Sequence, residues 1–328
     1  MPAVYVPLAI VPRPPALDAV VHDFGGDAMG TTWRVRLAAP RTLAREPVGA
    51  GIRARLAEVV AQMSTWEPAS DLCRFNAAPA GAWRALPPAF MDVLACGLEI
   101  AARSGGAFDP AAGALVDAWG FGPAPARGVP DDATIAAALA RGGWRRLRID
   151  RVGVHARQPG GLALDLSAIA KGYAVDRIAD WLATRGVPDH LVEVGGELRG
   201  AGVRPDGQPW WVALESPGIA GDEALVALHG LAVATSGDYH RWFEQDGERY
   251  AHTLDPRDGR PVRHGLASVS VLHARCMAAD ALSTALTVLG PDEGLRFATR
   301  ERVAARFVVR TGDGFEARVS PALAEMQQ

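Results

Sequence analysis

Lysine is almost missing from this 328-residue chain: of 34 basic side chains, 33 are arginine and only Lys171 is lysine. Arginine replaces lysine freely where a positive charge is solvated. A lysine kept against that drift marks a place where a compact ammonium is wanted and a planar guanidinium does not fit, with chance retention as the alternative. Cysteine is scarce too. Cys73, Cys96 and Cys276 lie far apart without CxxC spacing, which argues against structural zinc and fits reduced core thiols. Strong charge of either sign is missing, and a net charge of −3 gives no reason to expect nucleic acid or an anionic membrane as partner. Apolar runs never reach the roughly 18 residues of a membrane span, so no stable membrane insertion is expected. The apolar N-terminal stretch lacks a basic start, carries Pro2, Pro7, Pro12, Pro14 and Pro15, and precedes no cysteine placed to take a lipid. It reads as an extended arm over residues 1–22 of a cytoplasmic protein.

What is present is an ordinary globular composition, 49% apolar and 22% charged, in a chain long enough for one large domain or two. No internal repeat, low-complexity tract or clear interdomain linker divides it. Around Lys171, the leucines 162, 164 and 166 alternate with small or polar residues, which predicts a short strand. Ser167 is then placed to cap a helix whose apolar positions Ile169, Tyr173, Ile178, Trp181 and Leu182 share a face and which ends at Gly186. Asp165 and Lys171 bracket that strand-to-helix turn, where the free N–H groups of a helix start attract anions. A phosphate-handling site and a simple Asp165–Lys171 salt bridge are both open readings. Gly172, unfavourable inside a helix by about 1 kcal/mol against alanine, implies that something packs closely there.

Elsewhere, Phe24 to Leu37 reads as a glycine-punctuated turn and strand, with Met29 at the strand entrance, by residue type a core side chain more often than a ligand contact. Ile52, Leu56, Val59, Val60 and Met63 mark an amphipathic helix, followed by a polar loop, Ser64 to Asn76, that carries Trp66. A second helix is predicted from about Pro88 to Arg103; beyond it, Ala107-Phe108-Asp109-Pro110 forms a turn where backbone could approach a ligand. Gly120 to Pro130 reads as a surface loop and Asp131 to Arg141 as a short helix. After Gly186 the texture changes to short strands at His190–Val194, Glu197–Val203, Trp210–Leu214, Ala224–Leu228, Leu231–Ala234, Arg249–His252 and Leu266–Leu272. Such spacing favours antiparallel pairing and an α+β fold, antiparallel sheets packed with helices.

Two late clusters carry chemistry. His252, at a predicted strand end beside the Asp255–Gly259 turns, is placed to act as a general base, or simply to satisfy a turn. In the predicted helix Cys276–Leu289, closed by Gly290-Pro291, Asp280 and Thr284 are four apart and share a face. A carboxylate and a hydroxyl with no nearby histidine or cysteine suit Mg²⁺, although such a pair alone is usually a solvated face.

AMGTT at Ala28, STWEPASDLCRFN at Ser64, GGAFDP at Gly105, DLSAIAKGYAVD at Asp165, VEVGGELRG at Val192, ATSGDY at Ala234, HTLDPRDGRP at His252 and AADALSTAL at Ala278 follow one another in this order. Together they resemble the ApbE-type FAD:protein FMN transferases, the flavin transferases of the thiamine-biosynthesis lipoprotein family, from roughly Phe24 to the C-terminus. The resemblance implies one ApbE-like (T-fold-like) catalytic domain over 23–328. It implies Mg²⁺-dependent transfer of FMN from FAD to a threonine or serine hydroxyl of a target flavoprotein, with release of AMP. By position, it puts Mg²⁺ on the Ala168 carbonyl, Asp280 and Thr284. FAD contacts fall on Met29, Trp66, Ala107, Phe108, Asp109, Asp165, Lys171 and Leu254. Lys171 and Asp165 stand in the catalytic corner, and His252 matches the residue that activates the acceptor hydroxyl. Trp66 departs from the tyrosine of many members, keeping stacking but losing the phenol. The chain also lacks the export signal and lipid-bearing cysteine of the lipoprotein members. Three alternatives remain: an FAD pyrophosphatase releasing free FMN, a non-catalytic flavin-binding protein, and an acyl hydrolase built on Ser167 and Lys171. The last has Ser-x-x-x-Lys spacing where penicillin-binding enzymes have Ser-x-x-Lys.

Overall fold

Alternating apolar side chains send the strands of one long sheet into two separate cores. In the computed structural model, which describes residues 3–10, 14, 17–124, 128–215, 224–238, 241–312 and 314–328, that sheet has eight strands. In spatial order they are Gly314–Val319, Ala304–Thr311, Leu266–His273, Leu231–Gly237, Glu197–Ala201, His190–Val194, Thr31–Pro40 and Ala19–Ala28. Every neighbouring pair is antiparallel. Val35, Val192, Val194, Ala234, Val269 and Val271 face the helices; Ala38, Leu191, Val233 and Leu272, one residue out of step, face the opposite side. That is the period-two signature of a sheet covered on both faces. The fold is therefore mixed α and β with antiparallel sheets, as the strand spacing predicts.

On one face lie the helices Arg45–Met63, Pro88–Arg103, Ala170–Thr184 and Cys276–Arg300, whose apolar stripes join the larger core. On the other lies a small sheet of Trp210–Leu214 and Ala224–Leu228, to which Val4–Tyr5 adds in parallel. A third cluster, Leu115, Trp119, Phe121, Ile135, Ala138 and Leu254, packs beside the two-stranded hairpin Trp242–Gln245 and Glu248–Ala251. Phe121 is buried there, so the predicted surface loop from Gly120 is anchored at its start; residues 125–127 of that loop lie outside the described residues.

The structure corrects several local expectations. The Ser64–Asn76 segment is not all loop, because Ser70 caps a helix over Asp71–Asn76, its hydroxyl accepting from Cys73 N–H at 3.0 Å. The helix from Cys276 is closed by Gly290-Pro291 as expected, Gly290 adopting a non-helical φ of 76°, but a second helix follows across that kink and runs to Arg300. Leu162–Leu166 is no strand, since the backbone bonds of Leu162 and Leu164 go to side chains. Asn76 donates to Leu164 O at 3.0 Å and accepts from Leu164 N–H at 2.8 Å; Gln158 does the same for Leu162 at 3.0 and 3.1 Å. No helix among the described residues is long and apolar enough to cross a membrane.

Candidate active site

The helix Ala170–Thr184 starts without a side-chain cap, Ile169 standing at its N-terminus. Ser167 is not the cap; its N–H donates to Asp165 Oδ1 at 2.7 Å and closes the turn before the helix. Asp165 is further tied by its own N–H to Pro110 O at 3.0 Å, which joins this turn to the Ala107–Pro110 loop. The Asp165–Lys171 salt bridge is not formed. Lys171 Nζ instead donates to Glu197 Oε1 at 2.6 Å, across to the start of a sheet strand.

Gly172 explains itself at once. A Cβ built there would lie 2.4 Å from Cys276 O and 2.9 Å from Asp280 Cβ, so only glycine lets the two helices approach this closely. Its N–H does not serve the Ala168 carbonyl four residues back; it donates to Asp280 Oδ2 at 3.0 Å. Among the described residues, no backbone donor is directed at the Ala168 carbonyl. Asp176 returns the contact, accepting from Cys276 N–H at 2.9 Å and Met277 N–H at 3.0 Å while Arg199 donates to it at 2.9 Å. Each helix thus supplies a carboxylate to the other's first turn. Thr284, one turn beyond Asp280, has its hydroxyl 3.2 Å from Ser236 Oγ.

Burial raises the Asp280 carboxyl above its usual range, against the pull of Lys171 and the Gly172 N–H. Burial and the Asp280 charge push the Glu197 carboxyl up, with Lys171 opposing. Burial works against the Lys171 charge, but the two carboxylates outweigh it and hold the ammonium above its ordinary value. Two buried carboxylates share one ammonium, so the corner is short of positive charge.

That corner opens into a cavity of about 750 Å³ whose wall includes Ala107, Phe108, Asp109, Asp165, Ala168, Lys171, His252, Leu254, Asp280 and Thr284. A second cavity of about 820 Å³ adjoins it through Gly30, Thr31, Ser167, Lys171 and Arg241, and is walled by Met29 and Trp66. Trp66 is 61% exposed, an open aromatic face. Met29 and Gly30 form the two-residue hairpin turn with φ of 55° and 73°. Methionine in that backbone region carries about 1 kcal/mol or more of strain, where asparagine or glycine would be easier. Every residue nominated from the sequence therefore lines one of two adjoining cavities.

The remaining nominees have defined local roles. His252 Nδ1 lies 3.0 Å from Arg241 O, and since a carbonyl only accepts, Nδ1 carries a proton. Phe121 meets the same ring edge-on at 6.3 Å. Asp109 accepts from Ala111 N–H at 2.8 Å and Trp144 N–H at 3.0 Å, so it shapes the loop; burial pushes its carboxyl up to about 6. Tyr239 of the ATSGDY motif lies outside the described residues. Sequence reasoning passed over Glu197 and Arg241. Glu197 sits within the VGGELRG motif, and its signal was an acidic residue entering a strand after two glycines.

The oxygen set fits Mg²⁺: a buried carboxylate, a hydroxyl and a carbonyl that accepts no backbone bond all reach one cavity wall. Among the described residues, no three His, Cys, Asp or Glu side chains gather as ligands. The set is sparse, as suits an ion that keeps water and phosphate oxygens in its shell.

The sequence model of the ApbE family matches residues 29–307. The chain belongs to the ApbE family. Its solved relatives include the apo flavinyl transferase ApbE of Pseudomonas stutzeri, with TM-score 0.88 and 42% identity over 94% of this chain and 97% of that one. The flavin transferase ApbE from Vibrio cholerae superposes with TM-score 0.87 at 35% identity, covering 94% and 99%. Among curated ApbE relatives, the FAD:protein FMN transferase of Vibrio cholerae is 38% identical over 305 residues, 90% of this chain and 89% of its own length. That of Klebsiella pneumoniae is 37% identical over 321 residues, 95% of this chain and 91% of its own length.

Proposed function

We propose that this protein is a Mg²⁺-dependent FAD:protein FMN transferase, which moves FMN from FAD to a threonine or serine hydroxyl of a target flavoprotein and releases AMP. The unit that does so spans 23–328 together with the strand Val4–Tyr5 and the start of the strand Ala19–Ala28, which pair with its sheets and so do not form a separate arm over 1–22. The observation that carries the reading is a pair of adjoining cavities, one lined by Asp280, Thr284, Lys171 and His252 and the other by Lys171 and the exposed Trp66 ring, in a chain of the ApbE family.

Cleavage of a diphosphate needs charge neutralised on the non-bridging oxygens, a stabilised leaving group and an in-line nucleophile. Asp280, Thr284 and the Ala168 carbonyl are the groups that would hold Mg²⁺. Once bound, the ion would supply charge neutralisation at the diphosphate and the departing AMP. Lys171 adds a fixed positive charge at the same corner, in a partly buried setting that screens it less than water would. His252, with Nδ1 held by the Arg241 carbonyl, offers Nε2 to the acceptor hydroxyl. A threonine hydroxyl is a poor nucleophile at neutral pH, and a positioned base contributes about 10²–10⁴-fold. Met29, Trp66 and the Ala107–Asp109 turn serve FAD, Trp66 by stacking on a ring. Asp165 holds the turn that presents Ala168 and Lys171, and Leu254 closes the wall beside His252.

The test is to mix the protein with FAD, Mg²⁺ and a candidate acceptor flavoprotein, then follow acceptor mass and nucleotide products. Acceptor heavier by one FMN, with stoichiometric AMP, is the expected result. Free FMN and AMP with an unchanged acceptor means water is the acceptor and the enzyme is an FAD pyrophosphatase. Retained FAD with no AMP means a flavin-binding protein.

A further inference from the structure

Lys171 feels two carboxylates and is held by one. Its Nζ donates to Glu197 Oε1 at 2.6 Å, and among the described residues no ion pair joins it to Asp280. Yet Asp280 lines the same cavity wall as Lys171 and is hydrogen-bonded to Gly172, the residue next to it. Asp280 keeps a neutral hydrogen-bond partner, the Gly172 N–H on Oδ2. Glu197 stands on a sheet strand with its side chain only 4% exposed, and no donor among the described residues reaches its Oε2. An ammonium on a flexible four-carbon stem pivots readily, so the carboxylate it neutralises is the one fixed within its reach.

The geometry points to Glu197 as a positioning residue that takes up the Lys171 ammonium and thereby reserves the Asp280 carboxylate for a divalent cation. The inference rests on the metal reading above and deepens it. A carboxylate already paired with an ammonium is a poor ligand for Mg²⁺, whose binding depends on the negative charge its few protein ligands offer. Without Glu197, the other carboxylate acting on Lys171 is Asp280, and ammonium and metal compete for it. The orphaned Oε2 is informative as well. Buried carboxylates that serve only the fold normally have both oxygens satisfied, whereas among the described residues this one bonds Lys171 through Oε1 and leaves Oε2 without a donor.

The experiment is a double-mutant cycle read by Mg²⁺ affinity, measured by calorimetry on the full chain saturated with FAD and without acceptor. Glu197→Gln is expected to weaken Mg²⁺ binding by about tenfold, a typical coupling for groups in one ion-pair network. Lys171→Met alone is expected to change it little, because that ammonium is already taken up. Lys171→Met added to Glu197→Gln is expected to recover most of the loss. Glu197→Asp, which keeps the charge but draws it back by one carbon, is expected to fall between wild type and Glu197→Gln, and it carries the test if the glutamine variant does not fold. Equal effects of Lys171→Met in both backgrounds, or wild-type affinity in Glu197→Gln and Glu197→Asp, overturns the inference while leaving the metal reading intact. A wild-type protein that takes up no Mg²⁺ overturns both, and FMN transfer to the acceptor, followed separately, tells the two failures apart.

Discussion

Gly172 gives its backbone N–H to Asp280 Oδ2 at 3.0 Å, and the absence of a side chain at Gly172 is what lets that carboxylate come so near. The contact ties the proposed metal ligand to the helix that carries Lys171. Asp176 ties the same helices at the other end, through the N–H groups of Cys276 and Met277.

Gly172→Ala should therefore damage the site more than its size suggests. The added methyl would meet Cys276 O, C and Asp280 Cβ, two of them backbone atoms that cannot swing aside. Overpacking of this kind costs about 1–3 kcal/mol, so the urea midpoint should fall accordingly. FMN transfer should fall further than stability, because the methyl pushes Asp280 away from the residue-172 N–H and changes its spacing from Lys171. A variant with the wild-type midpoint and wild-type transfer would show that the two helices do not depend on this contact.

Asp280→Ala removes the charged ligand outright. The expected outcome is near-complete loss of transfer, with FAD binding weakened but still measurable by quenching of flavin fluorescence. Wild-type transfer rates at saturating Mg²⁺ would refute the assignment of Asp280 to the metal.

His252→Ala should separate binding from chemistry. The ring lines the cavity that adjoins the one walled by Trp66, so FAD affinity should stay close to normal while transfer slows by about 10²–10⁴-fold. Normal transfer together with poor FAD binding would reverse its role.

What could be read from the sequence was what local periodicity and residue order encode. The helix Pro88–Arg103 and the strands Trp210–Leu214 and Ala224–Leu228 have the bounds expected from apolar spacing. The close packing at Gly172 was expected from the glycine alone, though nothing local named Cys276 and Asp280 as its neighbours. Long-range pairing defeated the local reading elsewhere. The leucines at 162, 164 and 166 alternate like a strand, but the backbone partners of Leu162 and Leu164 are the Gln158 and Asn76 side chains, and Asn76 is 88 residues away from Leu164. Lys171 was read against Asp165, its neighbour in sequence, whereas its partner Glu197 is 26 residues on and is brought there by the sheet. The Asp71–Asn76 helix is too short to show a helical period, whereas the stop at Gly290-Pro291 is legible because glycine and proline break the backbone locally.

Asp109 gives a pH test of the loop beside the cavity. Burial pushes its carboxyl up to about 6 from an ordinary 3.8, while the N–H groups of Ala111 and Trp144 pull the other way. The folded state therefore holds this proton at pH values where the unfolded chain has already released it. Since the folded state binds more protons between about pH 4 and pH 6, stability from this group is fully present below that window and declines as pH rises through it. Asp109→Asn has no proton to lose, so its stability lacks this component. Subtracting the variant's urea midpoint from the wild type's should give a difference that falls between about pH 4 and pH 6 and is level above about pH 7. A difference that stays flat throughout, or rises with pH, would mean that Asp109 enters the fold already ionised and that its two backbone donors outweigh its burial.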